Sequence, residues 1–485
     1  MMIQLCALLP VILGCLSSTA LFREQKSRAG WALISVTLTS LLLAGIMIWG
    51  KDREPAELFR LSDQFRFVLH LDGKGKVFLG IAALLWPPAM LYAGEYMKHE
   101  KRKGNFFLWY TVAYGPAVLL GTAGNLFTLY MAYELLTLCT VPLVWHGRDR
   151  VSERAAVLYL LFLVGGASLG FIAMSGLGTL GTGSFSSNAG VTESIRQSEW
   201  FRTLCLVGFL GFGVKAAVLP LSRWLPTASV APTPVTALLH AVAVVNAGVF
   251  AVMRLLYDAV PCEALRGTWV QTAMLLLSAL TIVYGAMMAV REKHIKRRLA
   301  WSTVSNLSYM LFGLSLLTGH GLVGGLAHMI FHSLMKIVLF LCAGGIMICS
   351  GRSMTGQMHG LGRKMPFLFG CFTLSAVSLL GVPPLPGFVS KYELVTAAFE
   401  EGSAAALCGA AALLIAAVLT AVYLFSIVYP AFFMAEDPRL PEACAEKPGR
   451  RMTAALTVLC CLLAAAGAAS GPIVSWLYGM TGGIG

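Results

Sequence analysis

The hydrophobic positions of this chain form long, nearly continuous runs separated by short polar segments. A run of about 20 apolar residues is what an α-helix needs to cross a bilayer. The runs cover residues 3–22, 29–50, 76–96, 106–122, 124–146, 155–178, 201–220, 234–257, 270–290, 298–318, 322–349, 366–399, 405–433 and 452–478. The pattern predicts an all-α polytopic membrane protein with about 14 transmembrane helices. We interpret the first run as a span and not a signal peptide, because its basic residues follow it.

Two of these runs are interrupted by prolines, and each carries one lysine beside the interruption, Lys215 in the seventh run and Lys391 in the twelfth. The prolines that we expect to break the helices are Pro220 in the seventh run and Pro383, Pro384 and Pro386 in the twelfth. A lysine at mid-membrane costs about 2.5–3.5 kcal/mol on insertion scales. Proline removes a backbone donor, and broken membrane helices usually line a cavity. We therefore predict two discontinuous helices with functional lysines.

The spacing of the two broken runs predicts an internal repeat. They lie five spans apart, and because five is odd, the second copy of a five-helix unit must be inverted in the membrane. We expect helices 1–3 in residues 1–105, with an external loop at 51–75 that forms a small folded cap. The first repeat, helices 4–8, occupies 106–257, the second, helices 9–13, occupies 258–433, and helix 14 lies in 434–485.

The charged residues predict orientation. Only 12% of the 485 residues are charged against 57% hydrophobic, and the net charge is +13. The basic residues fall in short loops, 23 on one side of the membrane and 10 on the other. This distribution is typical of a membrane protein and not of a nucleic-acid-binding surface. Both termini should therefore face away from the cytoplasm. The densest basic run, 291–298, is interpreted as a cytoplasmic anchor.

Glu134 is a carboxylate in the middle of the fifth run, with apolar residues on both sides. A buried carboxylate is either neutral or faces a cation, and Lys215 is the candidate partner in the same half of the repeat. A coupled pair of this kind titrates as a unit, so separating its members would promote proton release. The alternative is a structural ion pair that fixes helix packing.

Three histidines and a further lysine also lie within apolar runs, in the eighth and eleventh runs of the chain. His240 near mid-membrane can relay protons or hydrogen-bond a carbonyl, and Asn246 is interpreted as an interhelical hydrogen bond. His328, His332 and Lys336 follow at i, i+4 and i+8 on one helix face. We reject a metal site because a third ligand is missing and the lysine would repel the ion. The sequence also has no CxxC, nucleotide loop or cluster spacing, so we expect no cofactor on this chain.

Six motifs in one order give the chain a strong resemblance, over about 106–433, to a known family. It resembles the antiporter-like proton-channel subunits of respiratory complex I, Mrp-type cation/proton antiporters and membrane-bound or formate-linked hydrogenases. The motifs lie at 131–136, 215 with 224–226, 231–240, 296–303, 328–336 and 381–391. The resemblance implies two inverted half-channels in which Glu134 and Lys215 form one pair, and His240 with the eleventh-span residues leads to Lys391. This chain departs from the family's pattern at Asn246, where many relatives carry lysine, and at His294, where an acidic residue is common.

The resemblance implies a proton-translocating membrane subunit of a multisubunit, redox-driven pump in a bacterial or archaeal inner membrane. Its partners would be other membrane subunits and iron–sulfur or hydrogenase-like peripheral subunits. One alternative is a subunit of an Mrp-type sodium/proton antiporter that has no redox module. A second, from a different class, is an intramembrane enzyme that uses Glu134 or the pair His328 and His332. A third is a degenerate subunit whose channel no longer conducts, which Asn246 suggests. The sequence predicts neither the coupling ion nor the direction of transport.

Overall fold

A computed structural model of the chain describes residues 2–17, 25–50, 54–100, 105–185, 193–436 and 447–481. Within these ranges the chain forms 21 α-helices and one two-stranded sheet. The first twelve helices are α1 Met2–Ser17, α2 Gln25–Trp49, α3 Gly73–Tyr96, α4 Phe106–Val112, α5 Tyr114–Gly121, α6 Leu126–Val144, α7 Arg150–Thr179, α8 Glu193–Arg196, α9 Glu199–Gly213, α10 Trp224–Ala228, α11 Thr233–Ala241 and α12 Val244–Arg254. The others are α13 Trp269–Arg291, α14 Ile295–Ser315, α15 Gly319–Ser350, α16 Leu361–Lys364, α17 Pro366–Leu380, α18 Pro386–Glu401, α19 Ala404–Phe433, α20 Arg450–Ala468 and α21 Ser470–Gly479.

Nine helical segments in the described ranges are long and apolar enough to cross a membrane, and three apolar helices are shorter. The chain is thus a multi-pass membrane protein. Every one of the fourteen apolar runs contains a described helix, but several runs are divided into shorter pieces. The fourth run, for example, holds α4 and α5, which meet at Ala113. The twelfth run is divided at its prolines into α17 and α18, which is one reason why fewer than fourteen described helices are long enough to cross a membrane.

Several of the long helices are capped at their N-termini by short polar side chains. Asn125 accepts a hydrogen bond from the backbone N–H of Thr128 at the start of α6. Thr318 accepts one from Gly321 at the start of α15. These contacts satisfy backbone donors that the first turn of a helix leaves unpaired. They fix where α6 and α15, the two helices that carry most of the candidate residues, begin.

The external loop predicted at 51–75 contains a β-hairpin, while its residues 51–53 lie outside the described ranges. Strand β1 (Ala56–Arg60) pairs antiparallel with β2 (Arg66–Leu69). The side-chain amide of Asn125 donates to the carbonyl of Arg66 at 2.8 Å. The hairpin therefore lies on the N-terminal end of α6 and packs against the helical body.

Helix α15 is the centre of the helical body. It packs against α3, α11, α14, α17, α18, α20 and α21, and most of its 32 residues are buried. Helix α14 beside it is buried nearly all round in spite of its serines and its one amide, Asn306. A helix buried on every side can present polar groups only to other protein groups. The polar face of α15 therefore points into the protein and not toward lipid.

Candidate functional site

The first interruption leaves Lys215 in irregular backbone. Helix α9 ends at Gly213, and no α-helix forms again until α10 begins at Trp224. The Tyr133 hydroxyl donates to the Phe212 carbonyl at 2.9 Å, and the Trp224 indole donates to the Val214 carbonyl at 2.8 Å. Side chains thus satisfy carbonyls that the broken helix exposes.

The Lys215 side chain is fully buried and is held by helix α6. Its ammonium donates to the backbone carbonyl of Tyr133 and lies 3.4 Å from the centre of that residue's ring. Glu134, the next residue, is half-buried, and its Oε1 has no hydrogen-bond partner in the described part of the chain. The lysine and the carboxylate are therefore neighbours without the direct ion pair that the sequence suggested.

A third helix interruption, which the sequence analysis missed, lies between α11 and α12. Val242 and Ala243 are outside both helices, although neither proline nor glycine is present there. His240 lies in the last turn of α11, is fully buried and contacts the Phe340 ring at a centroid distance of 4.8 Å. Asn246 in α12 makes the expected interhelical hydrogen bond, from its amide to Ser333 Oγ at 2.8 Å.

Helix α15 holds His328, His332 and Lys336, all fully buried. The Lys336 ammonium donates to Ser302 Oγ at 2.6 Å and to the Leu299 carbonyl at 3.2 Å. The rings of His328 and His332 are 5.9 Å apart between centroids. Both nitrogens of His332, like those of His240, lack a hydrogen-bond partner among the described residues.

His328 is linked to α14 and α18. Its Nε2 lies 3.3 Å from Asn306 Oδ1, and its Nδ1 lies 2.9 Å from Ser390 Oγ. The Asn306 amide nitrogen donates to the Ser302 carbonyl at 2.8 Å, so the Asn306 oxygen faces the histidine as an acceptor. Both ring nitrogens of His328 are therefore engaged in hydrogen bonds. Across the described residues, no group of three or more His, Cys, Asp or Glu side chains is arranged to hold a metal ion.

The second interruption separates α17 from α18, and it contains Pro383 and Pro384, while Pro386 begins α18. The Lys391 ammonium donates to the carbonyls of Leu379 and Leu380 at 2.7 and 2.9 Å. A cation at the C-terminal end of a helix satisfies its free carbonyls and interacts favourably with its dipole. Lys391 therefore caps the helix that the prolines interrupt.

The polar contacts of the second half form a line from Lys336 to Lys391. It runs through Ser302 and Asn306 of α14 to His328, whose ring stacks on the Tyr309 ring at 5.2 Å between centroids. Lys391 Nζ lies 5.6 Å from the centre of the Tyr309 ring. His332 lies on the same face of α15 but makes none of these hydrogen bonds. His240 and the group around Lys215 are outside this line.

A cluster of ion pairs that was not predicted from the sequence lies at the end of α12. Arg254 is fully buried and pairs with Asp72 at 2.5 Å and with Asp258 at 2.8 Å, while Lys74 pairs with Asp258. Burial by itself raises the pKa of the Asp72 carboxyl, but the Arg254 guanidinium and the Gly75 N–H outweigh it and lower that pKa from 3.8 to about 2. The signal in the sequence was an arginine in an apolar run with an acid four residues later.

The sequence suggested that the basic run 291–298 is an anchor at the membrane surface, but two of its residues are buried in the protein. Lys296 is buried and donates to the Ala231 carbonyl at 2.7 Å. Arg298 is buried as well and donates to the Tyr423 carbonyl at 3.0 Å. Arg297 is exposed, like Arg291 and Lys293. Two of the five cations therefore connect helices inside the protein.

The fold and the site define a class of membrane protein in which lysines within apolar stretches accompany interrupted helices. The profile of the NADH:quinone oxidoreductase/Mrp antiporter transmembrane family matches residues 123–420, more than half of the chain. The chain belongs to this family. The match includes the stretches around Lys215, α15 and Lys391.

Individual relatives come from both branches of that family. NADH-quinone oxidoreductase subunit N of Desulforudis audaxviator is 30% identical over 380 residues, covering 76% of this chain and 72% of the relative. A Na(+)/H(+) antiporter subunit of Alkalihalophilus pseudofirmus is 27% identical over 407 residues, covering 81% of this chain and 79% of the relative. NADH-quinone oxidoreductase subunit L of Mycobacterium tuberculosis is 30% identical over 381 residues, and only 58% of its length is covered.

Solved structures show the same fold. Respiratory complex I from Thermus thermophilus contains a chain that matches with a TM-score of 0.83 at 22% identity, covering 99% of this chain and 98% of that one. The Mrp complex from Dietzia sp. matches with a TM-score of 0.82 at 20% identity, covering 99% and 97%. At this identity the likeness concerns the fold alone.

Proposed function

We propose that this chain is a proton-translocating membrane subunit of a multisubunit, redox-driven pump in a bacterial or archaeal inner membrane. The observation that carries the proposal is the pair Lys215 and Lys391, each located at an interrupted helix and each donating to backbone carbonyls. The chain between these two positions carries three buried histidines, His240, His328 and His332, which can exchange protons. The names of the relatives, which include subunits of quinone oxidoreductases, support a redox partner.

The topology belongs to the same proposal. It comprises about fourteen spans, with helices 1–3 in 1–105, inverted five-helix repeats in 106–257 and 258–433, a last helix in 434–485, and both termini on the non-cytoplasmic side. The two interruptions, one in each proposed repeat, support this division. The driving reaction is assigned to other subunits, with iron–sulfur proteins among them, because this chain offers no cofactor motif.

The residues have distinct roles in the proposed path. Lys215 exchanges its proton with Glu134 in the first half, by leaving the Tyr133 carbonyl for the neighbouring carboxylate. His240, His332 and Lys336 pass protons across the centre of the membrane. His328 and Lys391 deliver them in the second half, where Lys391 leaves the end of α17 when it loses its charge. The steps of Lys215 and Lys391 each exchange one hydrogen bond for another, which keeps the free-energy cost of those intermediates low.

A second candidate function is that of a subunit in a sodium/proton antiporter without a redox module. The observation that favours it is the similarity to the Na(+)/H(+) antiporter subunit of Alkalihalophilus pseudofirmus, which extends over about four fifths of both chains. The proton path proposed above would serve either assembly. The two functions differ in the partners and in the source of free energy.

The test is purification of the tagged chain from its native membranes in mild detergent, followed by mass spectrometry and iron and flavin assays. Co-purification of iron–sulfur proteins is expected and would identify the electron donor. Recovery with small membrane proteins only, free of iron and flavin, would assign the chain to the antiporters. Recovery as a single chain would contradict both assignments.

A further inference from the structure

Asn246 joins the two chain positions that directly follow the central histidines. Its amide nitrogen donates to the carbonyl of Ala241, the residue after His240, at 3.0 Å. The same nitrogen donates to Oγ of Ser333, the residue after His332, at 2.8 Å. The side chain is fully buried, so these bonds are not in competition with bulk water. One amide thus connects α11, α12 and α15 at the level of the third helix interruption.

The hydrogen bonds determine which way the amide faces. An amide nitrogen has two protons, and both are used by the contacts to Ala241 and Ser333. Ser333 Oγ donates its own proton to the Met329 carbonyl at 2.6 Å, so it can only accept from Asn246. The amide oxygen, Oδ1, therefore points away from both partners. It has no hydrogen-bond partner among the described residues.

Three side chains near this interruption consequently have unused hydrogen-bonding capacity in a fully buried place. Asn246 offers one acceptor, and the neutral imidazoles of His240 and His332 each offer one donor and one acceptor. Leaving a buried polar group unpaired costs about 1–3 kcal/mol. Water has donors and acceptors of both kinds, and it can satisfy groups that do not reach one another directly.

We propose that Asn246 is a positioning residue for proton transfer between His240 and His332, and that its Oδ1 holds the water that connects them. The amide sets the distance between the histidines through Ala241 and Ser333, while its oxygen orients the bridging water. The water receives a proton at one lone pair and gives up another from an O–H bond, so its composition is unchanged after each transfer. Asn246 itself neither gains nor loses a proton. The proposal rests on the proposed function and adds a residue to it.

The test compares variants of the intact complex in inverted vesicles from native membranes, with dye-reported proton uptake energised by NADH or, without donor, by a sodium pulse. Asn246→Leu keeps the number and branching of the side-chain heavy atoms but has no polar atoms, and it should lower proton uptake about tenfold or more. Ser333→Ala removes one amide partner but keeps Oδ1, and it should lower uptake by less than about threefold. The amount of each chain in the purified complex reports assembly. The solvent isotope effect of uptake should change in Asn246→Leu and not in Ser333→Ala.

Normal uptake in Asn246→Leu would overturn the proposal, and so would an equal loss in both variants, since equal loss indicates packing alone. If Asn246→Leu does not assemble, Asn246→Asp is the deciding variant. Its side chain has the shape of the asparagine side chain but lacks the amide protons donated to Ala241 and Ser333. It should alter the uptake rate at least about threefold, and an unchanged rate and isotope effect would contradict the role. Lys215→Met separates this result from the proposed function. Loss in that variant with normal uptake in Asn246→Leu contradicts only the role of Asn246, while uptake in both contradicts the proton path itself.

Discussion

The Lys215 ammonium donates to the backbone carbonyl of Tyr133 and lies over the ring of the same residue, with 3.4 Å to its centre. The acceptor belongs to the residue before Glu134, so the proposed exchange moves Lys215 from a carbonyl of α6 toward the neighbouring carboxylate. A buried cation held by a carbonyl and a ring is partly satisfied without a counter-ion. Lys215 therefore already has a hydrogen-bond partner on α6 before any exchange with Glu134.

Replacement of Lys215 by Met should abolish coupled proton uptake, with a loss of about 100-fold or more, because the proton-exchanging group is gone. The measurement is dye-reported uptake in inverted vesicles, normalised to the amount of assembled complex. Lys215→Arg is the matched control. Arginine keeps the positive charge but does not release its proton in proteins, so it should assemble well and still fail to transport. Transport by the arginine variant at the native rate would show that only the charge matters.

Glu134→Gln should lower proton uptake about tenfold or more, because the amide keeps the size of the side chain but cannot accept the proton of Lys215. Tyr133→Phe is the control on the neighbouring residue. It removes the hydroxyl that donates to Phe212 at 2.9 Å but leaves the backbone carbonyl that holds Lys215. It should cost about 1 kcal/mol of stability and leave transport nearly intact. A larger loss of uptake in Tyr133→Phe than in Glu134→Gln would mean that the Tyr133 hydroxyl, and not the carboxylate, serves the lysine.

Asp72→Asn should lower the thermal stability of the purified chain at neutral pH by about 1–3 kcal/mol, because the buried Arg254 loses one of its two carboxylate partners. Since folding lowers the pKa of the Asp72 carboxyl from 3.8 to about 2, its contribution is complete above about pH 4 and disappears as the pH falls toward 2. The stability difference between the native chain and the variant should therefore shrink over that pH range.

Asp63→Asn is the control for this pH dependence. Asp63 pairs with arginines of the hairpin, but its side chain is 80% exposed. An exposed ion pair contributes little to stability, so this variant should match the native chain within about 0.5 kcal/mol. A pH-independent difference for Asp72→Asn would indicate that the carboxylate charge is not what holds Arg254.

The sequence indicated which charged residues interrupt the apolar stretches, but it did not indicate what those residues contact. Lys215 and Lys391 stand out because a lysine in an apolar run is rare. The prolines beside them predicted the helix interruptions. The partner of Lys215 could not be predicted, because every residue of α6 offers a carbonyl and only the fold selects that of Tyr133. The interruption at 242–243 was missed because Val and Ala carry no sign of a break. Arg254 was overlooked although its charge in an apolar run was as unusual as that of the lysines.

Gly248→Ala should reduce proton uptake because α12 approaches the irregular backbone around Lys215 most closely at this glycine. A Cβ atom there would lie 2.4 Å from the backbone nitrogen of Ala216 and 2.8 Å from the carbonyl carbon of Lys215. Atoms at such distances must separate, and backbone cannot yield as a flexible side chain does. We expect a fall of about tenfold in uptake.

Gly165→Ala in α7 is the matched control, since a Cβ there would meet nothing within 4 Å. Both glycines lie inside helices, so the gain in helix propensity, about 0.5–1 kcal/mol, is the same for the two substitutions. A difference between them therefore measures the close approach to Lys215. If both variants transport protons at the native rate, α12 tolerates the displacement, and the position of Lys215 is not set by this contact.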